Sequence, residues 1–368
     1  MIISVLFYSF VVFAVIQIVY YLFFTSFLFK DKEQTNTSKE TPVSVIICAK
    51  NEAKNLRKFI PSILEQTYSN FEVVLINDAS SDASSEVMED FQKKDDRIKC
   101  IEVENIEAFW GNKKYALTLG IKAANYEHLL FIDADCKPVS KNWITEMSKN
   151  FSETKTIIIG YGKYKKEKSM VNLFVRFETL LTAIQYFSYA KLKMPYMAVG
   201  RNLAYAKSEF FNVKGFIKHM HINSGDDDLF IQDAANKENT KICTTKDSFT
   251  ESLAPTNFKK WFQQKRRHIS TANYYKKKHQ FLLGLFYISK VFLFVTAALL
   301  FILFPNWILI LSILLSYYFV QFLVIGLSAK KLDEPQLIYF LPFLEIGLLF
   351  FQFSIFIANL LSKPNHWK

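Results

Sequence analysis

The sequence predicts an α/β domain with a mostly parallel sheet, carried between one N-terminal and three C-terminal membrane helices. Three observations lead there. Hydrophobic residues make up 51% of the 368 positions, with 37 Phe, which is too apolar for an ordinary soluble chain. They gather into two blocks near the chain ends, with runs of the roughly 20 apolar residues that a bilayer crossing needs. Between the blocks, short β-branched runs alternate with helical ones, the order expected of βαβ units.

The first block, residues 2–29, is almost uncharged. It lacks the basic leader, short core and small-residue cleavage site of a secretory signal, so it reads as a retained anchor. Residues 30–280 are mixed and charged, as a soluble domain should be. Residues 281–361 hold three further spans, near 282–304, 307–327 and 337–361, broken by Pro305-Asn306-Trp307 and the charged run 329–335. Residues 362–368 form a tail.

Lys and Arg near span ends set the orientation. With four spans, Lys30, Lys32, Lys276, Lys277, Lys278, Lys330 and Lys331 share one side. That side is expected to be cytoplasmic, in a multi-pass protein of the inner membrane. Lys363 and Lys368 then fall opposite, a conflict that a re-entrant last span removes. The net charge of +11 calls for no nucleic acid, because a basic surface beside anionic membrane lipids accounts for it. Cys48, Cys100, Cys136 and Cys243 are widely spaced and expected to be reduced. His219 and His221 lack partners at metal-ligand spacing and read as a loop.

In the soluble domain, strands are expected at 43–48, 71–76, 98–103 and 128–132, with helices at 55–66 and 113–124. Ligands of such sheets sit beyond the carboxyl ends of the strands. Glu52, Asp78, Asp133 and Asp135 all follow strands and so converge on one rim. Asp133 and Asp135, in FIDADC, suit a hard divalent cation, Mg²⁺ or Mn²⁺, which takes oxygen ligands. An Asp-x-Asp pair alone also opens ordinary turns; its acidic neighbours give it weight. Neither G-x-G-x-x-G nor G-x-x-x-x-G-K-[ST] occurs, which removes the main support for hydride transfer and for P-loop phosphoryl transfer.

Taken in order, the motifs resemble the family-2 glycosyltransferases. VSVIICAKNE resembles that family's opening strand and Asn-Glu turn, INDASSD its first nucleotide-binding aspartate motif, and GNKKYALTLGI its lysine-containing segment. FIDADC carries the Asp-x-Asp element. VGRNLAY resembles the Gly-x-Asn segment that shapes the sugar pocket, and SGDDDLF the segment with the catalytic base. WFQQKRRH resembles the Q-x-x-R-W signature of the cellulose, chitin, hyaluronan and poly-N-acetylglucosamine synthases, with His268 where the family has Trp. The resemblance covers about residues 42–268. It implies a GT-A fold, a Rossmann-like mixed sheet, and inverting transfer from a nucleotide sugar, UDP favoured over GDP.

By that resemblance, Glu52 and Asp78 contact the base and ribose, Lys113 adds charge near the diphosphate, and Asn202 belongs to the sugar pocket. Asp135, assisted by Asp133, holds the metal that neutralises the leaving diphosphate. Arg267 is the second cation, and Gln264 shares its helical face. The base is Asp226, Asp227 or Asp228, with register favouring Asp227, whose pKa crowding should raise. The expected acceptor is a glycan or a lipid-linked sugar in cell-surface polysaccharide or glycolipid synthesis. The alternative is a processive polysaccharide synthase, which the His268 position disfavours. From other classes, a nucleotidyltransferase lacks its Gly-rich phosphate loop, and an inactive nucleotide-binding scaffold would not need the acidic residues that are present.

Two membrane-side expectations remain. Residues 171–190 form an aromatic-rich helix, lying either on the membrane surface or against the sheet. Lys290 and Glu345 are charges inside predicted spans at similar depth, and an ion pair between them would lower their cost.

Overall fold

The computed structural model describes residues 1–29, 41–104, 113–222 and 224–362. Lys30, Lys32, Lys363 and Lys368, used above for orientation, lie outside the described residues. The chain opens with α1 (Ile2–Phe24) and a 3-10 turn (Thr25–Leu28). Then β1 (Val43–Ala49), α2 (Ala53–Leu64), β2 (Phe71–Asn77), α3 (Ser84–Gln92), β3 (Ile98–Glu102), α4 (Lys113–Ala123) and β4 (His128–Phe131) alternate as expected. VSVIICA and FEVVLIN are continuous apolar runs because both faces of these strands are covered. Val45, Ile47, Val73 and Leu75 enter one core, while Ile46, Val74 and Ile76 enter the other, following the two-residue period of a strand.

The chain continues through β5 (Cys136–Pro138), α5 (Trp143–Ser148), β6 (Ile157–Ile159), β7 (Gly162–Tyr164), α6 (Met170–Lys191), β8 (Leu203–Ala206), α7 (Lys207–Asn212), α8 (Asp228–Ala234), β9 (Thr240–Ile242) and β10 (Thr250–Ser252). The main sheet has the order β3-β2-β1-β4-β8-β6-β9. It is parallel except at β8, which runs antiparallel to β4 and β6, so the sheet is mixed. A small sheet, β5-β10-β7, stands beside it.

After α9 (Phe258–Ser270) come α10 (Lys277–Leu303), α11 (Trp307–Lys331), a 3-10 stretch (Pro335–Phe340) and α12 (Leu341–Leu361). With α1, the C-terminal three make four helices long and apolar enough to cross a membrane. The expected ion pair is present, with Lys290 Nζ 2.8 Å from Glu345 Oε1. It sits in a buried network: Lys290 donates to the Tyr21 hydroxyl, and Tyr317 and Gln321 donate to Glu345.

Residues 171–190 form a helix that packs inside the protein. Helix α6 is buried along most of its length, Phe174 to Tyr189 included, between the sheet and the ends of α1 and α12. Its aromatic residues belong to a core, and Arg176 pairs there with Glu334. Helix α12 packs along α9 and α6. Gly347 permits this approach, since a Cβ there would lie 2.6 Å from the Phe174 ring.

Candidate active site

The site is built at the carboxyl ends of β1, β2 and β4. Two loops interlock there. Asn51 at φ 58° and Ala79 at φ 48° take left-handed turns. The Asn51 amide oxygen accepts from the Ser81 N–H at 2.8 Å, and the Asn51 N–H donates to the Ser80 hydroxyl at 2.9 Å. These bonds hold Glu52 and Asp78 over the strand ends. Burial raises the pKa of both carboxyls, with Lys50 and Lys113 pulling Asp78 back.

Past β4, the Cys136 N–H bonds the Asp133 carbonyl at 3.0 Å and closes the turn that presents both aspartates. Ligand atoms of Asp133, Asp135 and Cys136 lie within 4.8 Å of one another, the single such group among the described residues. Two carboxylates fit a hard cation; the Cys136 thiol, buried and with its pKa pushed well up, does not add a suitable ligand. Burial, then Asp133, raises the pKa of Asp135. His219 instead pairs with Asp233 at 3.1 Å, in keeping with a structural loop. All four cysteines are free.

Lys113 Nζ lies 3.1 Å from Asp133 and 2.9 Å from Asp226, so one ammonium links the metal-type pair to the triple aspartate. The structure separates those three aspartates by their partners. Gly225 at φ +92° turns the chain into the segment. Asp228 spends its oxygens on Leu229 N–H, Thr271 and Tyr275, at 2.5–2.7 Å, and anchors α8 rather than facing an acceptor. Asp227 caps α8, accepting from the N–H groups of Asp228 at 2.7 Å and Gly200 at 2.8 Å. Burial, with Asp226 and Asp228 beside it, raises its pKa to about 8. Burial works against the Asp226 carboxylate too, but Lys113 overrides it and holds the pKa below the ordinary value.

From α9, Gln264 and Arg267 face the same space, and Lys265 pairs with Glu178 of α6 at 2.5 Å. His268 also faces it. Every candidate residue except Asn202 lines one cavity of about 1190 Å³. Asn202 corrects the expectation: it is fully buried, accepting from Trp143 Nε1 at 3.1 Å and donating to the Tyr161 and Ser248 carbonyls. Its amide is consumed inside the fold, so it shapes the pocket from behind.

Two residues escaped the sequence reading. Lys114 donates to the carbonyls of His219, Ile222 and Ser224 at 2.7–3.0 Å and so fixes the segment that leads into Gly225. Its signal was the doubled lysine of GNKKYAL, read for the first lysine alone. Arg201 lines the cavity, 4.3 Å over the Tyr164 ring, and its buried Nε has no hydrogen-bond partner among the described residues. It sat beside Asn202 in VGRNLAY.

An acidic rim at a sheet's carboxyl edge, in one cavity with Lys113, Arg201 and Arg267, suits a ligand that carries phosphate and a divalent cation. Residues 44–217 match the sequence model described as Glycosyl transferase family 2, and the domain they form belongs to that family. The uncharacterized glycosyltransferase EpsJ of Bacillus subtilis is 34% identical over 124 residues, 34% of this chain and 34% of its own length. The UDP-Glc:alpha-D-GlcNAc-diphosphoundecaprenol beta-1,3-glucosyltransferase WfaP of Escherichia coli is 31% identical over 132 residues, 35% of this chain and 48% of its own. The chain thus spans a third to a half of the length of these curated relatives. Among solved structures, the mannosyltransferase PcManGT from Pyrobaculum calidifontis, in complex with GDP-Man and Mn²⁺, is similar in fold with a TM-score of 0.59 at 15% identity. That likeness covers 92% of this chain and 97% of the other, so it takes in membrane helices as well as the sheet.

Proposed function

We propose that the protein is a membrane-bound, metal-dependent, inverting glycosyltransferase that moves one sugar from a nucleotide-sugar donor, a UDP-sugar first, to a lipid-linked or glycan acceptor. The observation that carries this is the meeting of Asp78, Asp133, Asp135, Asp226 and Asp227 on one cavity. Glu52 and Asp78 bind the nucleoside. Asp133 and Asp135 hold a divalent cation, which supplies charge neutralisation at the diphosphate when bound. Arg201 and Arg267 are the protein's own cations there, with planar donors suited to phosphate oxygens.

In the step itself, the bond between the anomeric carbon and the diphosphate oxygen breaks and a bond to the acceptor oxygen forms. The acceptor proton passes to a carboxylate, Asp227 in this reading, and the nucleoside diphosphate leaves. Attack opposite the leaving group inverts the anomeric centre. Base catalysis contributes roughly 10²–10⁴-fold. The cavity faces the cytoplasm of a bacterial-type inner membrane, where the basic span ends also belong.

The test is nucleoside diphosphate release and sugar transfer in membranes given UDP- and GDP-sugars with Mg²⁺ or Mn²⁺. One donor should turn over, with loss on adding EDTA and in Asp135→Ala. Turnover that survives both treatments rules the assignment out.

A further inference from the structure

The cavity is larger than a nucleotide sugar needs. Ligand pockets typically enclose roughly 300–1,000 Å³, and this one reaches about 1190 Å³ because it continues past the carboxylates between two membrane helices. From α10, Leu283, Phe286, Tyr287 and Lys290 line it, and from α12, Leu348, Leu349 and Phe356 do so. The α10 set recurs at three, four and seven residues, and the α12 set does so once Glu345 and Gln352, which also line the cavity, are included, so each is one helical face. The Lys290–Glu345 pair closes the far end. Phe356 lines the cavity and is also 55% exposed, so the groove reaches the outer surface of the helix layer. Beside it on α12, Phe350, Phe353 and Leu360 are exposed apolar side chains, which places lipid at that mouth.

We infer that this groove holds the hydrocarbon chain of a lipid-phosphate-linked acceptor, which enters sideways from the bilayer between α10 and α12. The inference rests on the transferase reading and sharpens its acceptor. A soluble glycan would gain nothing from apolar walls at membrane depth, whereas each buried CH₂ of a chain contributes about 0.8 kcal/mol. The mouth also suits the headgroup. Lys260 and Arg267 of α9 line the same cavity and offer cations to a phosphate next to the accepting sugar.

The test uses the full chain in lipid nanodiscs and a diazirine-bearing polyprenyl phosphate as probe. Adducts are mapped by mass spectrometry, and donor hydrolysis is measured separately on the same preparation. Labelling is expected at Leu283, Tyr287 and Leu349, saturable and displaced by unlabelled polyprenyl phosphate. Leu283→Trp and Leu349→Trp, each filling the groove, should lower it about tenfold, a loss of ~1.4 kcal/mol in binding. Phe353→Trp, on the outward face, should leave it unchanged. Adducts confined to Phe350 and Phe353, or unsaturable labelling, or indifference to both Trp variants in monodisperse protein, overturn the groove. Saturable groove labelling without any donor turnover keeps the groove and removes the transferase reading.

Discussion

Lys290 and Glu345 meet at 2.8 Å with side chains only 7% and 2% exposed, an ion pair between α10 and α12 within the apolar layer. Breaking such a pair leaves an uncompensated buried charge, at a cost of roughly 3–5 kcal/mol. Lys290→Met and Glu345→Leu should each lower the melting temperature in detergent, and the double variant should recover most of it. The charge-swapped Lys290→Glu/Glu345→Lys should also recover part, since Tyr21, Tyr317 and Gln321 can accept as well as donate. A double variant no better than the worse single one would mean that the pair is not the interaction at stake.

The pH profile assigns the base. A carboxylate accepts a proton only when ionised, and burial raises the Asp227 pKa to about 8. If Asp227 is the base, transfer should climb about tenfold per pH unit up to about 8 and then level off. The sign for stability is the reverse: the folded protein binds this proton more tightly than the unfolded chain, so stability falls as pH rises from the usual carboxylate range towards 8. Asp226, held ionised by Lys113, would give no rise there. A flat profile between pH 6 and 8, with activity kept in Asp227→Asn and lost in Asp226→Asn, transfers the role to Asp226.

Lys114 acts through the segment it holds. Its three hydrogen bonds to the carbonyls of His219, Ile222 and Ser224 fix the approach to Asp226 and Asp227, yet it is 2% exposed and does not line the cavity. Lys114→Met should leave the donor KM little changed and cut kcat by about 10²-fold, as displacements near 1 Å do. Lys114→Arg should restore part of it. Equal loss of donor affinity would show a general folding defect instead.

Much of this was legible in the chain, for reasons that differ by element. Strands β1, β2 and β4 announced themselves because inner parallel strands are apolar on both faces, and the rim residues followed from where those strands stop. Strands β6 to β10 were not, because they span three or four residues each and carry no run long enough to stand out. Asn202 was misplaced because a motif gives a residue's neighbourhood, not the direction of its side chain. Burial of α6 was equally hidden: the same aromatic residues serve a lipid surface or a core, and only the fold says which.

Both ends of α12 are held by helices that precede the C-terminal spans, α9 and α6. Helix α9 belongs to the sheet domain, and its Arg266 binds the last turn of α12, donating to Asn359 Oδ1 at 2.9 Å, the Ala358 carbonyl at 3.0 Å and the Ser362 carbonyl at 2.6 Å. Trp261 of α9 stacks on Phe351 at 3.8 Å, one more contact along the same line. A cation on the last carbonyls also complements the helix dipole. The first turns of α12 meet Phe174 of α6, so its two ends contact α6 and α9. A last helix with both ends towards one side of the bilayer is the re-entrant arrangement, and we propose it for α12. A single introduced cysteine tests this with a membrane-impermeant maleimide. Ser362→Cys should stay unlabelled in intact spheroplasts and react in inverted vesicles, while Asn306→Cys, between α10 and α11, should do the opposite. Labelling of position 362 from outside would restore a fourth span and, with it, the charge conflict.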